Sequence, residues 1–217
     1  MEWKNSQILV EYPDALSFMD ARVAGIHDGS ADECVWLLEH PALYTAGTSA
    51  KDADLLDPRF PVHKTGRGGE HTYHGPGQRV GYVMMDLKRR QKVPDIKKYV
   101  WQLEEWVIRS LAAFDIIGER RAGRVGIWVN MERYGGRAGE EAKIAALGVR
   151  VRHWITLHGV SINVAPDLSH FGGIVPCGIA EHGVTSMRAL GVDVEMAALD
   201  TVMRETFGEV FIDILLF

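Results

Sequence analysis

Cysteine is scarce in this chain: Cys34 and Cys177 are the only two in 217 residues, and they lie far apart. A disulfide-stapled scaffold is therefore not expected, and a reducing cytoplasm is the expected compartment. Long apolar runs are missing, since none approaches the roughly 20 residues of a membrane span. Met1 to Ser6 lacks the basic-then-apolar order of a secretion signal. Positive charge is in deficit, with 24 Lys and Arg against 29 Asp and Glu for a net charge of −5. Broad nucleic-acid binding needs a basic footprint and is not expected. Gly66-Arg67-Gly68-Gly69 has neither the Lys-Ser/Thr of a Walker loop nor the dinucleotide fingerprint, so ATP or NAD use has no support. Internal repeats, low-complexity segments and linkers are absent as well. What remains, 47% hydrophobic and 24% charged residues, is the composition of an ordinary soluble globular protein. The length allows one sizeable core, and residues 1–217 are expected to form a single domain.

The patterns place mixed strands and two long helices along the chain. Gln7 to Tyr12 alternates as an opening strand. Pro13-Asp14 opens a helix with Leu16, Met19, Val23 and Ile26 on one face, and Gly29 ends it. Cys34 to Leu38 is a continuous apolar run, short enough for a buried strand, and Leu43 to Ala46 is the next strand. Lys51 to Pro58 reads as a helical turn and loop. Val80 to Leu87 reads as a core strand. Asp95 suits the N-cap of the clearest helix, in which Ile96, Tyr99, Val100, Leu103, Val107, Leu111 and Phe114 keep three-and-four spacing. Gly118 lies past its end. Trp101 and Trp106 fall off that stripe and are read as packing. Gly126 to Val129, Lys143 to Val149 and His153 to Val164 read as strands. Glu195 to Phe207 reads as a helix and Val210 to Phe217 as an apolar tail. This order predicts an α+β (α/β) domain around a mixed, largely antiparallel sheet with flanking helices.

Chemistry concentrates in a few places. Arg67 to Gln78 packs glycines, two histidines, an arginine and a glutamine into one short stretch. Such a polar, glycine-bent loop before a core strand is a common way to build a site on a rigid support; a tight hairpin with incidental polar residues is the plainer reading. Cys177 lies between Pro176 and Gly178. There it fits two readings, an accessible thiolate nucleophile or a small buried apolar side chain. Cys34, inside an apolar strand, reads as core. Lys143 leads into an apolar strand, either at a pocket edge, where its charge would lower a thiol's pKa, or as a solvated strand end. His71 and His74 have an H-x-x-H spacing, but no Cys or carboxylate cluster completes a metal site.

The segment RGGEHTYHGPGQRVGY (Arg67 to Tyr82) resembles the signature of the lipoyl (octanoyl) transferase family. KIAALGVRVRHWITLHGVSINV (Lys143 to Val164), DLSHFGGIVPCGI (Asp167 to Ile179) with Thr185-Ser186-Met187, and HPALYTAG (His40 to Gly47) resemble the same family. The resemblance implies the fold of the biotin/lipoyl protein ligases. It implies an octanoyl-[acyl-carrier-protein]:protein N-octanoyltransferase that needs no cofactor. Octanoyl-acyl carrier protein would be the donor. Lipoyl domains of 2-oxoacid dehydrogenase E2 subunits and the glycine cleavage H protein would be the acceptors. Carried over by motif, Cys177 would be the nucleophile and Lys143 its partner. Arg67, Gly68, Gly69, Glu70, His71, Thr72, Tyr73 and His74 would line the acyl site. Ala146, Leu147, Gly148, Gly159, Val160 and Ser161 would close on the chain and its carbonyl. Small departures fall at Ala46, Ala146 and Ser161. Lys88 to Lys92 and Arg120-Arg121 are the local basic patches that would face an acidic carrier protein. An ATP-dependent lipoate or biotin ligase, a hydrolase using the same Cys-Lys pair, and a non-catalytic acyl-binding protein are the competing readings.

Overall fold

The computed structural model describes residues 1–175 and 183–211. In chain order the elements are β1 (Glu2–Asn5), α1 (Tyr12–Asp28), β2 (Cys34–Leu38), β3 (Leu43–Ala46), β4 (Val62–Lys64), β5 (His71–His74), β6 (Gln78–Met84), α2 (Leu87–Arg90), α3 (Ile96–Ala112), β7 (Glu119–Arg121), β8 (Arg124–Asn130), β9 (Glu141–Arg152), β10 (Ile155–Asn163), β11 (Gly183–Val184) and α4 (Met196–Phe211). The larger sheet runs β1-β2-β6-β10-β9-β8-β7, with β11 added beside β9, and the smaller runs β4-β3-β5. In the larger sheet β1–β2 and β11–β9 are parallel and the other pairings antiparallel. The expected mixed, largely antiparallel α+β architecture is the one observed.

Alternation along the central strands sorts the side chains into two cores. Val35, Leu37, Val83, Val160 and Ile162 face α3 and α4. Cys34, Trp36, Leu38, Val80, Tyr82, Met84, Ile155 and Leu157 face α1, which presents Ala15, Met19, Val23 and Ile26. Burial on both faces is why β2 reads as an unbroken apolar run rather than an alternating one. Burial also pushes the Cys34 thiol up to about 11, so it acts as the apolar core residue expected.

Several boundaries differ from the pattern reading. Residues Gln7 to Tyr12 do not form a strand. The opening strand is Glu2–Asn5, and Pro13, whose missing N–H costs nothing in a first turn, draws Tyr12 into α1. His71–His74 is a strand and not a loop. It is no hairpin with β6 either, because β5 pairs with β3 in the smaller sheet while β6 pairs with β2 and β10. Gly75-Pro76-Gly77 thus carries the chain from one sheet to the other. His153 and Trp154 are not strand residues but the two-residue turn between β9 and β10, with φ of 55° and 69°. Among the described residues three helices are long, not two: α1 and α3 have 17 residues each and α4 has 16. Asp95 caps α3 as expected, accepting from the backbone of Lys97 and Lys98 at 2.7 and 3.2 Å. The helix stops at Ala112, short of Gly118. Of the Asp167 to Ile179 motif, residues up to 175 are described, whereas 176–179 and the tail from 212 onward lie outside the described residues.

The two tryptophans of α3 part company. Trp106 is fully buried, donates to the Met203 carbonyl at 2.7 Å and meets Phe207 edge-on. Trp101 is 51% exposed under the Arg120 guanidinium. Trp106→Ala is expected to cost about 3–5 kcal/mol and Trp101→Ala less than about 1 kcal/mol. Urea titrations with unchanged m-values check both, and equal losses would contradict this packing.

Candidate active site

A cleft lies where β5 of the smaller sheet and the stretch before it stand over β6, β9 and β10. Its walls include Gly69, Glu70, His71, Thr72 and His74 on one side and Ala146, Leu147, Gly148, Gly159, Val160 and Ser161 on the other. It encloses about 520 Å³ with its open mouth, within the roughly 300–1,000 Å³ of small-molecule sites. Most of the residues expected there are therefore brought together from segments that are distant in sequence. Two are not among its lining residues. Tyr73 points the other way and packs with Tyr44, Phe60 and Phe171, its hydroxyl 2.8 Å from Nδ1 of His170. Gly68 is spent on the frame: its N–H donates to the Val149 carbonyl at 2.9 Å and its carbonyl accepts from Arg67 at 3.0 Å.

Arg67 borders the cleft but serves chiefly as a buried strut. It donates to the Thr45 hydroxyl at 2.7 Å, the Thr45 carbonyl at 2.9 Å and the Glu70 carbonyl at 3.0 Å. The loop it braces comes so close to β9 that a Cβ on Gly148 would stand 3.0 Å from Cδ of Arg67 and 3.2 Å from the Gly68 carbonyl oxygen. Glycine at 148 is what allows this approach.

Lys143 sits at one end. It shares a smaller pocket with Thr72, Gln78, Ala146, Asn163 and Phe171, and Thr72 and Ala146 also line the main cleft, so the two spaces adjoin. The ladder between β8 and β9 shifts register at Ile127 and Trp128. In an unbroken strand residues 143 and 146 would face opposite sides; the irregularity lets both reach this pocket. The ammonium is buried, donates to the Val125 carbonyl at 3.1 Å and lies 4.8 Å from the Trp128 ring centre. Gly126 makes room for it: a Cβ there would meet Cε of Lys143 and the Ala145 carbonyl oxygen at 2.9 Å each. Cys177 lies outside the described residues. The chain re-enters beside Lys143, where Gly183 and Val184 pair with Ala142 and Lys143.

The far end joins His74, which the resemblance placed at the acyl site, to Tyr12, His40, Tyr82 and His158, to which the sequence reading gave no site role. Tyr12 and His158 meet there at 3.1 Å, with Tyr82 beside them. His40 donates from Nδ1 to the Val10 carbonyl, so its Nε2 accepts from the Tyr82 hydroxyl at 2.7 Å. His74 donates from Nδ1 to Oε1 of Gln78 at 2.7 Å. No motif marks Tyr12 as a neighbour of this loop, His40 is marked only as the first residue of the HPALYTAG stretch, and Gly126 looks like an ordinary strand residue. Only the paired HGPGQ and HGVSINV stretches hinted at the cluster.

The basic patches are largely neutralised. Arg120 pairs with Glu104 at 3.1 Å and Glu105 at 2.9 Å, and Arg121 with Glu119 and Glu141. Arg90 is bound to Glu33, and Arg89 contacts Asp86 at 3.2 Å. Asp86 bridges Ile155, the partner of Arg152, nine residues along β9 from Lys143. That puts the Lys88 to Lys92 patch roughly 30 Å from the lysine end.

Two tests follow from this geometry. Gly126→Ala forces a side chain against Lys143 at a backbone φ of 129°. Overpacking there should cost about 1–3 kcal/mol in a urea melt, and an unchanged midpoint would contradict the assigned contact. Burial holds His40 down at about 4, and His74 and His158 at about 3. Above pH of about 6.5 each is neutral in both states. As pH falls below that, the unfolded chain binds protons that the folded chain refuses until about pH 3–4. Stability should then drop by up to about 1.4 kcal/mol per pH unit for each histidine. Denaturant melts at pH 7.5, 6 and 5 check this, and a flat profile would contradict the burial of neutral rings.

The profile of the lipoyl protein ligase A/B catalytic domain matches residues 11–208. A protein of Paramagnetospirillum magneticum named octanoyltransferase is 61% identical over 97% of both chains. One of the same name from Rhodospirillum rubrum is 61% identical over 97% of this chain and 95% of its own. The crystal structure of lipoate-protein ligase A bound with ATP superposes with a TM-score of 0.69 at 17% identity, over 97% of this chain and 85% of that one; at that identity the likeness speaks for the fold alone. A profile that takes in both walls of the cleft and the strand of Lys143, together with relatives matched almost end to end, makes this chain a member of the lipoyl protein ligase A/B catalytic-domain family.

Proposed function

We propose that the cleft holds an octanoyl chain which Cys177 takes from octanoyl-acyl carrier protein and passes to a lysine of a lipoyl domain. The kind of reaction, octanoyl transfer in protein lipoylation, follows from relatives at 57–61% identity that are named octanoyltransferases. One observation carries the rest: an apolar slot lined by Val80, Ala146, Leu147 and Val160 adjoins the pocket that holds a buried lysine.

In this reading the Cys177 thiolate attacks the carbonyl of the incoming thioester. The tetrahedral adduct collapses with loss of the carrier thiolate, which is protonated as it leaves. The acceptor's amine then attacks the acyl-enzyme, loses its proton and displaces the Cys177 thiolate. Lys143 keeps the sulfur anionic and relays the proton. The first exchange is thioester for thioester and the second runs downhill to an amide, so neither needs ATP. Acceptors of this kind are lipoyl domains of 2-oxoacid dehydrogenase E2 subunits and the glycine cleavage H protein. Among the described residues no helix is long and apolar enough to cross a membrane, and we place the reaction in the cytoplasm.

Intact-protein mass spectrometry after incubation with octanoyl-acyl carrier protein, without ATP, tests the covalent step. The wild type should gain one octanoyl group and Cys177→Ser none. Lys143→Met should slow acylation by about 10²-fold or more. An adduct that persists in Cys177→Ser, or none in either protein while the donor stays intact, would defeat this route.

A further inference from the structure

His158 is the most unusual residue of the cleft. It lies inside β10 and is only 2% exposed, yet its φ is +64°. A non-glycine residue is rarely held in the left-handed region, and where the surroundings enforce it the side chain usually has work to do. One ring nitrogen, Nε2, faces the Tyr12 hydroxyl; the other, Nδ1, is buried with no hydrogen-bond partner. Tyr12 is equally buried, at 2% exposure, and its ring is wedged against His40 and His63. One end of the cleft, beyond the apolar stretch of Val80, Ala146, Leu147 and Val160, is thus closed by a tyrosine and a histidine, and the histidine keeps one ring nitrogen without a partner.

The spacing fits the cargo. The cleft adjoins the lysine pocket at Thr72 and Ala146, and Ala146 is paired with Ser161. From Ser161 to His158 is three residues of β10, about 10 Å. An extended eight-carbon acyl group measures about 9 Å from carbonyl carbon to terminal methyl at ordinary C–C geometry. A methyl end that reached further would push against the Tyr12–His158 pair and leave the buried nitrogen unpaired, whereas a hydroxyl in its place could donate to it.

We propose that Tyr12 and His158 form a polar stop that limits the bound acyl chain to about eight carbons and accepts a terminal hydroxyl where it refuses a methyl. This rests on the cleft being the acyl slot. The substrates singled out are medium-chain acyl thioesters, saturated to eight carbons or bearing an ω-hydroxyl at the ninth heavy-atom position. Nonanoyl and 8-hydroxyoctanoyl groups have the same length and differ only in whether that last atom is carbon or oxygen. The wild type should therefore favour the hydroxylated chain by about tenfold or more in kcat/KM.

The experiment measures kcat and KM of the full chain with hexanoyl, octanoyl, nonanoyl, 8-hydroxyoctanoyl and decanoyl thioesters of acyl carrier protein and a lipoyl-domain acceptor. His158→Gly suits a φ of +64° and deletes the ring; Tyr12→Leu opens the stop from the opposite wall and serves if the first variant does not fold. Each should raise the decanoyl-to-octanoyl ratio of kcat/KM at least tenfold, mainly through KM, and His158→Gly should abolish the preference for the hydroxylated chain. Ala146→Leu, halfway along the slot, separates the two layers of the argument. If Ala146→Leu shifts preference toward hexanoyl while the stop variants keep the wild-type profile, the stop is overturned and the slot stands. If none of the three changes chain preference, both are overturned. A wild type that treats nonanoyl and 8-hydroxyoctanoyl alike overturns the polar character of the stop.

Discussion

Arg67 is a guanidinium taken out of water at the seam between two sheets. Leaving such a charge short of partners would cost several kcal/mol. It is instead fixed by the hydroxyl and carbonyl of Thr45 in β3 and by the carbonyls of its own loop at Gly68 and Glu70. Those contacts make the loop before β5 and the strand beside it move as one piece. The Gly68 N–H then ties that piece to β9 through the Val149 carbonyl. Remove the strut and one wall of the cleft loses its register on the other. The cleft is therefore a product of this joint as much as of the side chains that line it, and the hydrogen bonds of the arginine in the glycine-rich signature hold the frame of the cleft together.

The lysine end obeys a second constraint. A strand can present residues 143 and 146 to one pocket only if its alternation is broken, and the register irregularity between β8 and β9 supplies the break. The same neighbourhood holds Gly126 at a φ that an L side chain rarely adopts, and that glycine clears the path of the ammonium. Trp128 then roofs the charge with an aromatic face. Local irregularity here converts an ordinary sheet into a holder for one aimed cation.

How far the sequence disclosed this depended on whether a feature was carried by periodicity or by contact. Cys34 to Leu38 was plain because a strand buried on both faces must be apolar throughout. The residues of β5, β9 and β10 that meet in the cleft were legible through their motifs, which fix residue types where backbone approach is tight. Tyr12 was misread because alternation over Gln7 to Tyr12 looks like a strand until Pro13 is allowed to start the helix. Trp106 lay off the predicted stripe, yet α3 is covered by both the sheet and α4 and so buries a wider arc than a one-sided helix. His158 alternated like its neighbours, and nothing in a hydrophobic pattern encodes a positive φ. Its role emerges only when α1 delivers Tyr12 to it from 146 residues away.

If the cleft is the acyl slot proposed above, the histidines explain how it tolerates polar walls. An acyl-thioester must be kept from water or it hydrolyses, and charge on the wall beyond that of Arg67 and Glu70 would draw more water in. His40, His74 and His158 are buried deeply enough that the imidazolium form appears only at about pH 4 or below. Near neutral pH they are uncharged, and their hydrogen bonds run to Tyr12, Tyr82, Gln78 and the Val10 carbonyl. They give the cleft shape and a fixed end without giving it charge. The cation of Lys143 is kept some six residues of sheet away from His158, since Val149 and not Lys143 is the cross-strand partner of that ring. In the proposed reading the sheet thereby separates a neutral tyrosine-histidine stop from the buried cation at the reaction end, and the apolar stretch between them is what an eight-carbon chain would fill.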